Sequence, residues 1–356
     1  MTWDVTKPYN DLPLLPPVAE LETRAVLKAT IEARDALARF DAKAGSLPNP
    51  TVLINAIPLL EAQASSEIEN IVTTTDELFA AAAIDINASP AAREALRYRT
   101  ALYRGWEGLR NRPVTASTAI EVCAEIRGHT EGIRIGQVII GEPKTHKRIY
   151  TPPTGRRNLD RLLDNWSAFI NARDGLDPLV RMAVAHYQFE AIHPFTDGNG
   201  RTGRIMNILI LCAEGLLQLP LLYLSRYIIE TKDDYYRLLR AVTSDNAWED
   251  WILYVVEGVR VTAFRSMAVV ETIDNLQNNL IESIRDAIGV ANHDLLSVLM
   301  EQPYARARDV VAKAEVSRPT ANKWLSSLVS SGVLSRLQIG REVLYLNKPL
   351  MNILQS

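Results

Sequence analysis

The stretch His193-Pro-Phe-Thr-Asp-Gly-Asn-Gly-Arg-Thr-Gly-Arg204 decides how the rest of the chain is read. It holds one imidazole, one carboxylate, three glycines and two arginines. Glycines admit positive φ and let successive backbone N–H groups converge on an anion. The stretch runs into a helix expected from about Gly200 to Glu214, whose N-terminus adds unpaired amides and a favourable dipole. Arg201 and Arg204 are three residues apart and share a face of that helix. Two fork-shaped cations there suit terminal phosphates. Asp197 can hold Mg²⁺, which takes one or two carboxylates together with phosphate oxygens. His193, with an ordinary pKa of about 6.5, can take a proton from an attacking hydroxyl at neutral pH. Pro194 stops the preceding helix, and Phe195 is read as the loop's anchor in the core. No GxxxxGK[ST] occurs, so this is not a Walker loop. His186, Glu190 and His193 could share a helix face and imitate a metal site, a reading ranked lower because the loop already accounts for His193.

Outward from the loop, helical periodicity dominates. Helices are expected at Leu21 to Phe40, at Thr51 to about Phe79 with an interruption near Pro58, at Ser89-Pro90 to Asn111, and at Ser117 to Arg127 with Ser117 as N-cap. Arg134 to Gly141 and Lys147 to Thr151 are short β-branched runs around a turn and read as a hairpin. Helices resume at Leu159 to Asn171, Pro178 to Ala191, Lys232 to Val242 and Trp248 to about Arg285. From Asn292 on, three helices (Asp294 to Met300, Ala307 to Lys313, Arg318 to Ser331) precede strands Val333 to Leu337 and Val343 to Leu346 around Ile339-Gly340-Arg341. Gly332 is a natural C-cap between them. That pattern is a winged helix-turn-helix. The fold class is therefore mainly α with a small β-hairpin, and the expected divisions are 1–90, 91–290 and 291–356.

Composition sets the boundaries. The 356 residues are 47% apolar and 23% charged, with 39 basic and 42 acidic side chains and a net charge of −3. That balance is globular and excludes a chain-wide polyanion binder. The last part differs: from Val290 onward eight basic residues face five acidic ones. The two cysteines, Cys123 and Cys212, cannot form a disulfide framework, so a reducing, cytoplasmic setting is expected. No signal peptide and no run of about 18 apolar residues is read, so no membrane partner is expected.

Position by position, the stretch from His193 to Arg204 resembles the HPFxDGNGRxxR signature of the Fic family. The resemblance spans roughly Ala91 to Val256. It implies a helical core with a hairpin flap and an enzyme that moves AMP from ATP onto a Ser, Thr or Tyr hydroxyl of a target protein or of itself. By resemblance, His193 is the general base, and Asp197 holds Mg²⁺. Gly198, Asn199 and Gly200, with Thr202 and Gly203, cradle the nucleotide, and Arg201 and Arg204 grip its β- and γ-phosphates. Tyr235 and Tyr236 resemble the family's tyrosine pair against adenine or ribose. The hairpin Gly136 to Pro153 resembles the flap, with Lys147, Arg148, Ile149 and Tyr150 over the nucleotide and a free edge for the target's main chain.

Ser65-Ser-Glu-Ile-Glu-Asn70 resembles the family's inhibitory motif [S/T]xxxE[G/N]. Ser65 and Glu69 share a helical face. The resemblance implies that Glu69 pairs with Arg204 and withholds it from the γ-phosphate. Other readings are a nucleotide-sensing transcription regulator, a transferase using another diphosphate donor, and removal of AMP. Arg318 to Trp324 has the polar, basic start of a recognition helix, with Arg336 and Arg341 on the wing. DNA, a protein and a second copy of the chain are the partners this module admits.

Overall fold

The computed structural model describes residues 3–47, 50–84, 88–130, 132–141, 147–339 and 342–355. The N-terminal helices are α1 (Arg24–Gly45), α2 (Thr51–Ile68), α3 (Thr75–Ala83), α4 (Pro90–Gly108) and α5 (Ala116–Arg127). Strands β1 (Ile140–Gly141) and β2 (Arg148–Tyr150) follow as an antiparallel pair. Next come α6 (Arg156–Ile170), α7 (Pro178–Ile192), α8 (Asn199–Ala213), α9 (Leu224–Glu230), α10 (Lys232–Asp245) and the 41-residue α11 (Trp248–Ile288). The C-terminal module comprises α12 (His293–Glu301), β3 (Tyr304–Ala305), α13 (Ala307–Lys313), α14 (Arg318–Ser330), β4 (Ser335–Ile339), β5 (Glu342–Leu346) and α15 (Lys348–Gln355).

Local chemistry sets most of these boundaries. Thr23 caps α1 by accepting from the Val26 N–H, so the helix starts there and not at Leu21. The buried stripe Val26, Thr30, Ala33, Leu37 and Phe40 lays α1 along α11. Thr115, boxed with Thr118, caps α5 in place of the expected Ser117. Pro58 does not interrupt α2. Proline removes the N–H that would bond the Ile54 carbonyl. The Tyr103 hydroxyl donates to that carbonyl at 2.8 Å instead. The break comes twelve residues later, at Asn70 with φ 64°.

The expected wing is one strand short. Β3 pairs with β5, giving the sheet order β3-β5-β4. Β4 begins at Ser335 because Val333 and Leu334 still donate to the Leu328 carbonyl, finishing the turn after α14. Gly340 and Arg341, expected at the hairpin turn, lie outside the described residues. One apolar cluster runs from Leu12 to Leu354, so the N-terminal helices, the centre and the C-terminal module share a core. Among the described residues, no helix is long and apolar enough to cross a membrane.

Candidate active site

Α7 is buried on nearly all sides and ends abruptly at His193, which sits in the left-handed region at φ 50°, ψ 61°. The His193 N–H still bonds the Phe189 carbonyl at 2.9 Å. Arg134, almost fully buried, holds this corner. Its guanidinium donates to the carbonyls of His193 (2.7 Å), Ile192 (3.2 Å), Gly136 (2.9 Å) and Pro153 (2.6 Å). One side chain thus ties the imidazole's backbone to both ends of the hairpin.

The imidazole is half-buried, and its buried Nδ1 has no hydrogen-bond partner among the described residues. Burial, and next the Arg134 charge, push its pKa down to about 4, against a smaller upward pull from Asp197. His193 is therefore neutral at pH 7 and free to accept a proton. Gly198, at φ 84°, turns the chain into α8. The Asn199 side chain is engaged with the Phe195 backbone, accepting from its N–H at 2.8 Å and donating to its carbonyl at 2.9 Å.

Asp197 is half-exposed and engaged by cations. Its carboxylate meets Arg127, and its Oδ1 accepts from Arg201 at 2.9 Å and from the Gly198 N–H at 2.6 Å. Arg201 is buried among Asp197, Glu94 and Glu69, whose Oε2 lies 2.7 Å from Nε without hydrogen-bond alignment. Arg204 donates to the Ser65 hydroxyl (2.8 Å), the Ser65 carbonyl (2.8 Å) and Glu69 Oε1 (2.9 Å). Burial pulls its pKa down, but the surrounding negative charge, led by Glu69, holds it above the ordinary value. Glu69 therefore spans both arginines. Its carboxylate rests on Gly200, where a Cβ would lie 2.6 Å from Oε1. Asn70 turns away at positive φ, which ends α2 and leaves Glu69 at the cavity.

A cavity of about 270 Å³ gathers His193, Asp197, Gly198, Asn199, Gly200, Arg204, Glu69, Ile149, Tyr150, Tyr235 and Tyr236. Other expected nucleotide residues do not line it. Thr202 is buried in α8 with its hydroxyl unpartnered. Gly203 faces α7, where a Cβ would lie 2.5 Å from Glu190 Oε1. Arg148 donates to the Thr6 carbonyl at 2.7 Å, and with Lys147 lines an adjoining groove. Tyr235 is buried with its hydroxyl 2.9 Å from His186 Nε2, whereas Tyr236 is partly exposed at the cavity. Among the described residues no group of three metal-ligating side chains exists, so His186, Glu190 and His193 form no metal site.

Two further groups, Glu61 and Trp3, were not singled out from the sequence, and Glu190 was read only as part of a possible metal-binding face. Glu61, one turn before Ser65, is buried and accepts from the Ser225 N–H (2.8 Å), the Ser225 hydroxyl (2.5 Å) and the Tyr98 hydroxyl (3.1 Å). Its spacing from Ser65 and Glu69 was a readable signal. Glu190 lines the cavity with Oε1 unpartnered, and burial raises its pKa to about 7. Trp3 also lines the cavity. Nothing in the sequence marks Trp3, because its neighbours are remote in the chain.

Comparison with known proteins gives a consistent picture. Residues 27–107 match the Fic/DOC family N-terminal region, 113–211 the Fic/DOC family, and 276–350 the C-terminal domain of protein adenylyltransferase SoFic-like proteins. Protein adenylyltransferase fic-1 of Caenorhabditis elegans is 31% identical over 152 residues, covering 41% of this chain and 27% of that protein. Protein adenylyltransferase Fic of Aedes aegypti is 32% identical over 108 residues, covering 28% and 20%. The chain thus spans about a quarter of the length of these curated relatives. A crystal structure of a Fic family protein from Desulfovibrio desulfuricans G20 superposes with a TM-score of 0.62 at 21% identity, covering 93% of this chain and 98% of that one. That likeness is one of fold.

Proposed function

The chain belongs to the Fic/DOC family, and on that footing we propose that it transfers AMP from ATP to a Ser, Thr or Tyr hydroxyl of a target protein. The observation that carries this reading is a neutral, half-buried imidazole facing the same cavity as a glycine turn, a helix N-terminus and Arg204. ATP is the substrate. His193 takes the proton of the attacking hydroxyl as its oxygen bonds to the α-phosphorus. The bond from that phosphorus to the bridging oxygen breaks, and pyrophosphate leaves. Catalysis is then mostly positioning and charge neutralisation.

The metal test is one of donor chemistry. Asp197 is a single, half-exposed carboxylate, and the described residues offer no cluster around it. That fits Mg²⁺, which fills its shell with phosphate oxygens and water. Bound there, the ion would neutralise phosphate charge. Asp197 would hold it after exchanging its contact with Arg127.

Glu69 is the brake in this reading. By spanning Arg204 and Arg201 it takes the cations needed by the terminal phosphates. Β2 is flanked by the N-terminal segment, with Tyr9 donating to the Thr151 carbonyl at 3.0 Å. The target's main chain is therefore assigned to the β1 side, where Ile135 and Ile139 are exposed. We assign the brake to 1–90, catalysis to 91–290 and a docking module to 291–356, in a cytoplasmic protein whose two cysteines form no disulfide with each other.

The test uses ATP labelled on the α-phosphate. Glu69→Gly is expected to raise label on protein by orders of magnitude, Glu67→Ala to leave it unchanged, and His193→Ala in the Glu69→Gly chain to abolish it. No label in the Glu69→Gly chain with any protein substrate, itself included, would overturn the reading.

A further inference from the structure

The N-terminal segment is built into the cavity wall. Trp3 lines the cavity and stacks on Tyr150, with ring centroids 6.2 Å apart and planes at 29°. The segment behind it is fastened. The Thr151 hydroxyl donates to the Val5 carbonyl (2.7 Å), Thr154 N–H to Asn10 (2.8 Å), and Gln188 to the Pro13 carbonyl (2.8 Å). Asn165 exchanges two hydrogen bonds with the Leu15 backbone, at 2.7 and 2.9 Å. The N-terminal segment from Trp3 to Leu15 precedes position 27, where the first family match begins.

Trp3 also stands at a particular end of the cavity. Trp3, Ile149 and Arg240 line both it and the adjoining groove, whereas none of the residues from His193 to Arg204 lines that groove. Trp3 is thus on the side away from the phosphate-binding turn. That end carries Ile149 beside Trp3, with Arg240 as its cation. Packing on Tyr150 accounts for the indole ring but not for its N–H. Among the described residues, the buried Nε1 has no hydrogen-bond partner, an arrangement that a bound acceptor would relieve.

Resting on the nucleotide-transfer reading, we propose that Trp3 is a nucleoside contact, with its indole N–H donating to an acceptor on the base or ribose of the bound nucleotide. The N-terminal segment is then a working part of the site and not a tail. A phosphate ligand without a nucleoside does not reach it.

The test measures affinity by calorimetry in the full-length Glu69→Gly chain, with MgATP and with magnesium tripolyphosphate. Trp3→Phe keeps a ring on Tyr150 and removes only the donor. It is expected to weaken ATP about fivefold to tenfold and to leave tripolyphosphate unchanged. Trp3→Ala is expected to show the same discrimination, with melting curves confirming that both variants fold. Unchanged ATP affinity in both variants, or an equal loss for both ligands, overturns the proposal. If the Glu69→Gly chain with Trp3 intact binds no ATP, the parent reading fails and this one with it.

Discussion

At the scale of single residues, burial decides what His193 and Glu190 can do. An ordinary histidine base loses activity as pH falls below about 6.5. Here burial and Arg134 hold the imidazole at about 4. In the Glu69→Gly chain, transfer per unit enzyme at pH 5 should stay within about twofold of its value at pH 7, and fall steeply only near pH 4. A half-maximal point at pH 6 to 7 would contradict this. Glu190 carries the opposite sign. Its folded pKa, about 7, is above the ordinary 4.5, so the native state holds a proton that the unfolded state releases between those values. Stability is therefore lost as pH rises from 4.5 to 7. Glu190→Gln should stabilise the protein above pH 7, by at most about 3 kcal/mol. The gain should vanish near pH 4.5 in paired thermal melts, and a constant gain across that range would contradict the assignment. The loop residues were legible because they are contiguous and each type has one evident chemistry. Asn199 was legible by position but not by role, since its side chain closes the loop on Phe195. Glu190 was legible only as part of a possible metal-binding face, and Trp3 gave no signal, because their meaning comes from neighbours brought in by the fold.

Among elements, helix periodicity carried most of the fold, and compensation hid the rest. Pro58 reads as a break only if nothing replaces its lost donor, and Tyr103, from another helix, does so. Α9, β3 and α15 escaped notice. Each is short, from two to eight residues, and leans on tertiary contacts instead of its own pattern. The hairpin was visible as two β-branched runs, but its fastening was not. Arg134 joins its two ends to the carbonyls of Ile192 and His193, four hydrogen bonds from one side chain. Lysine cannot reproduce that fork. In the Glu69→Gly chain, Arg134→Lys is therefore expected to lower the transfer rate about 100-fold, the scale of an ångström of misplacement at the reacting groups. MgATP affinity should change much less, because the turn and Arg204 are untouched. A parallel loss of affinity and rate would mean that Arg134 supports the whole cavity and not the imidazole.

Across the whole molecule, the C-terminal module braces the helix that carries Glu69, the proposed brake. Asn55 on α2 donates to the Glu301 carbonyl at 3.1 Å, and Tyr304 on β3 donates to Asp76 on α3 at 2.6 Å. These two contacts hold the helices on either side of the Glu69–Asn70 bend. Α12 packs on α2 as well, and Ile353 and Leu354 share a groove with Gln63, Ala64 and Glu67 on the back of α2. A force on the winged helix thus reaches Glu69 through one helix. The contact at Arg204 is itself double, with Ser65 and Glu69 both accepting from it and the Glu61 carboxylate adding charge attraction, so loosening the brace should weaken the brake without abolishing it. Each hydrogen bond contributes about 1 kcal/mol. Asn55→Ala combined with Tyr304→Phe should therefore raise the basal AMP transfer of the otherwise unaltered chain by about fivefold to twentyfold. The same pair in the Glu69→Gly chain should change nothing, since no brake remains to loosen. Label incorporation from ATP in the four proteins decides it. An equal rise in both backgrounds would place the effect in catalysis, and no rise in either would leave the brake fixed by Ser65 and Glu61 alone.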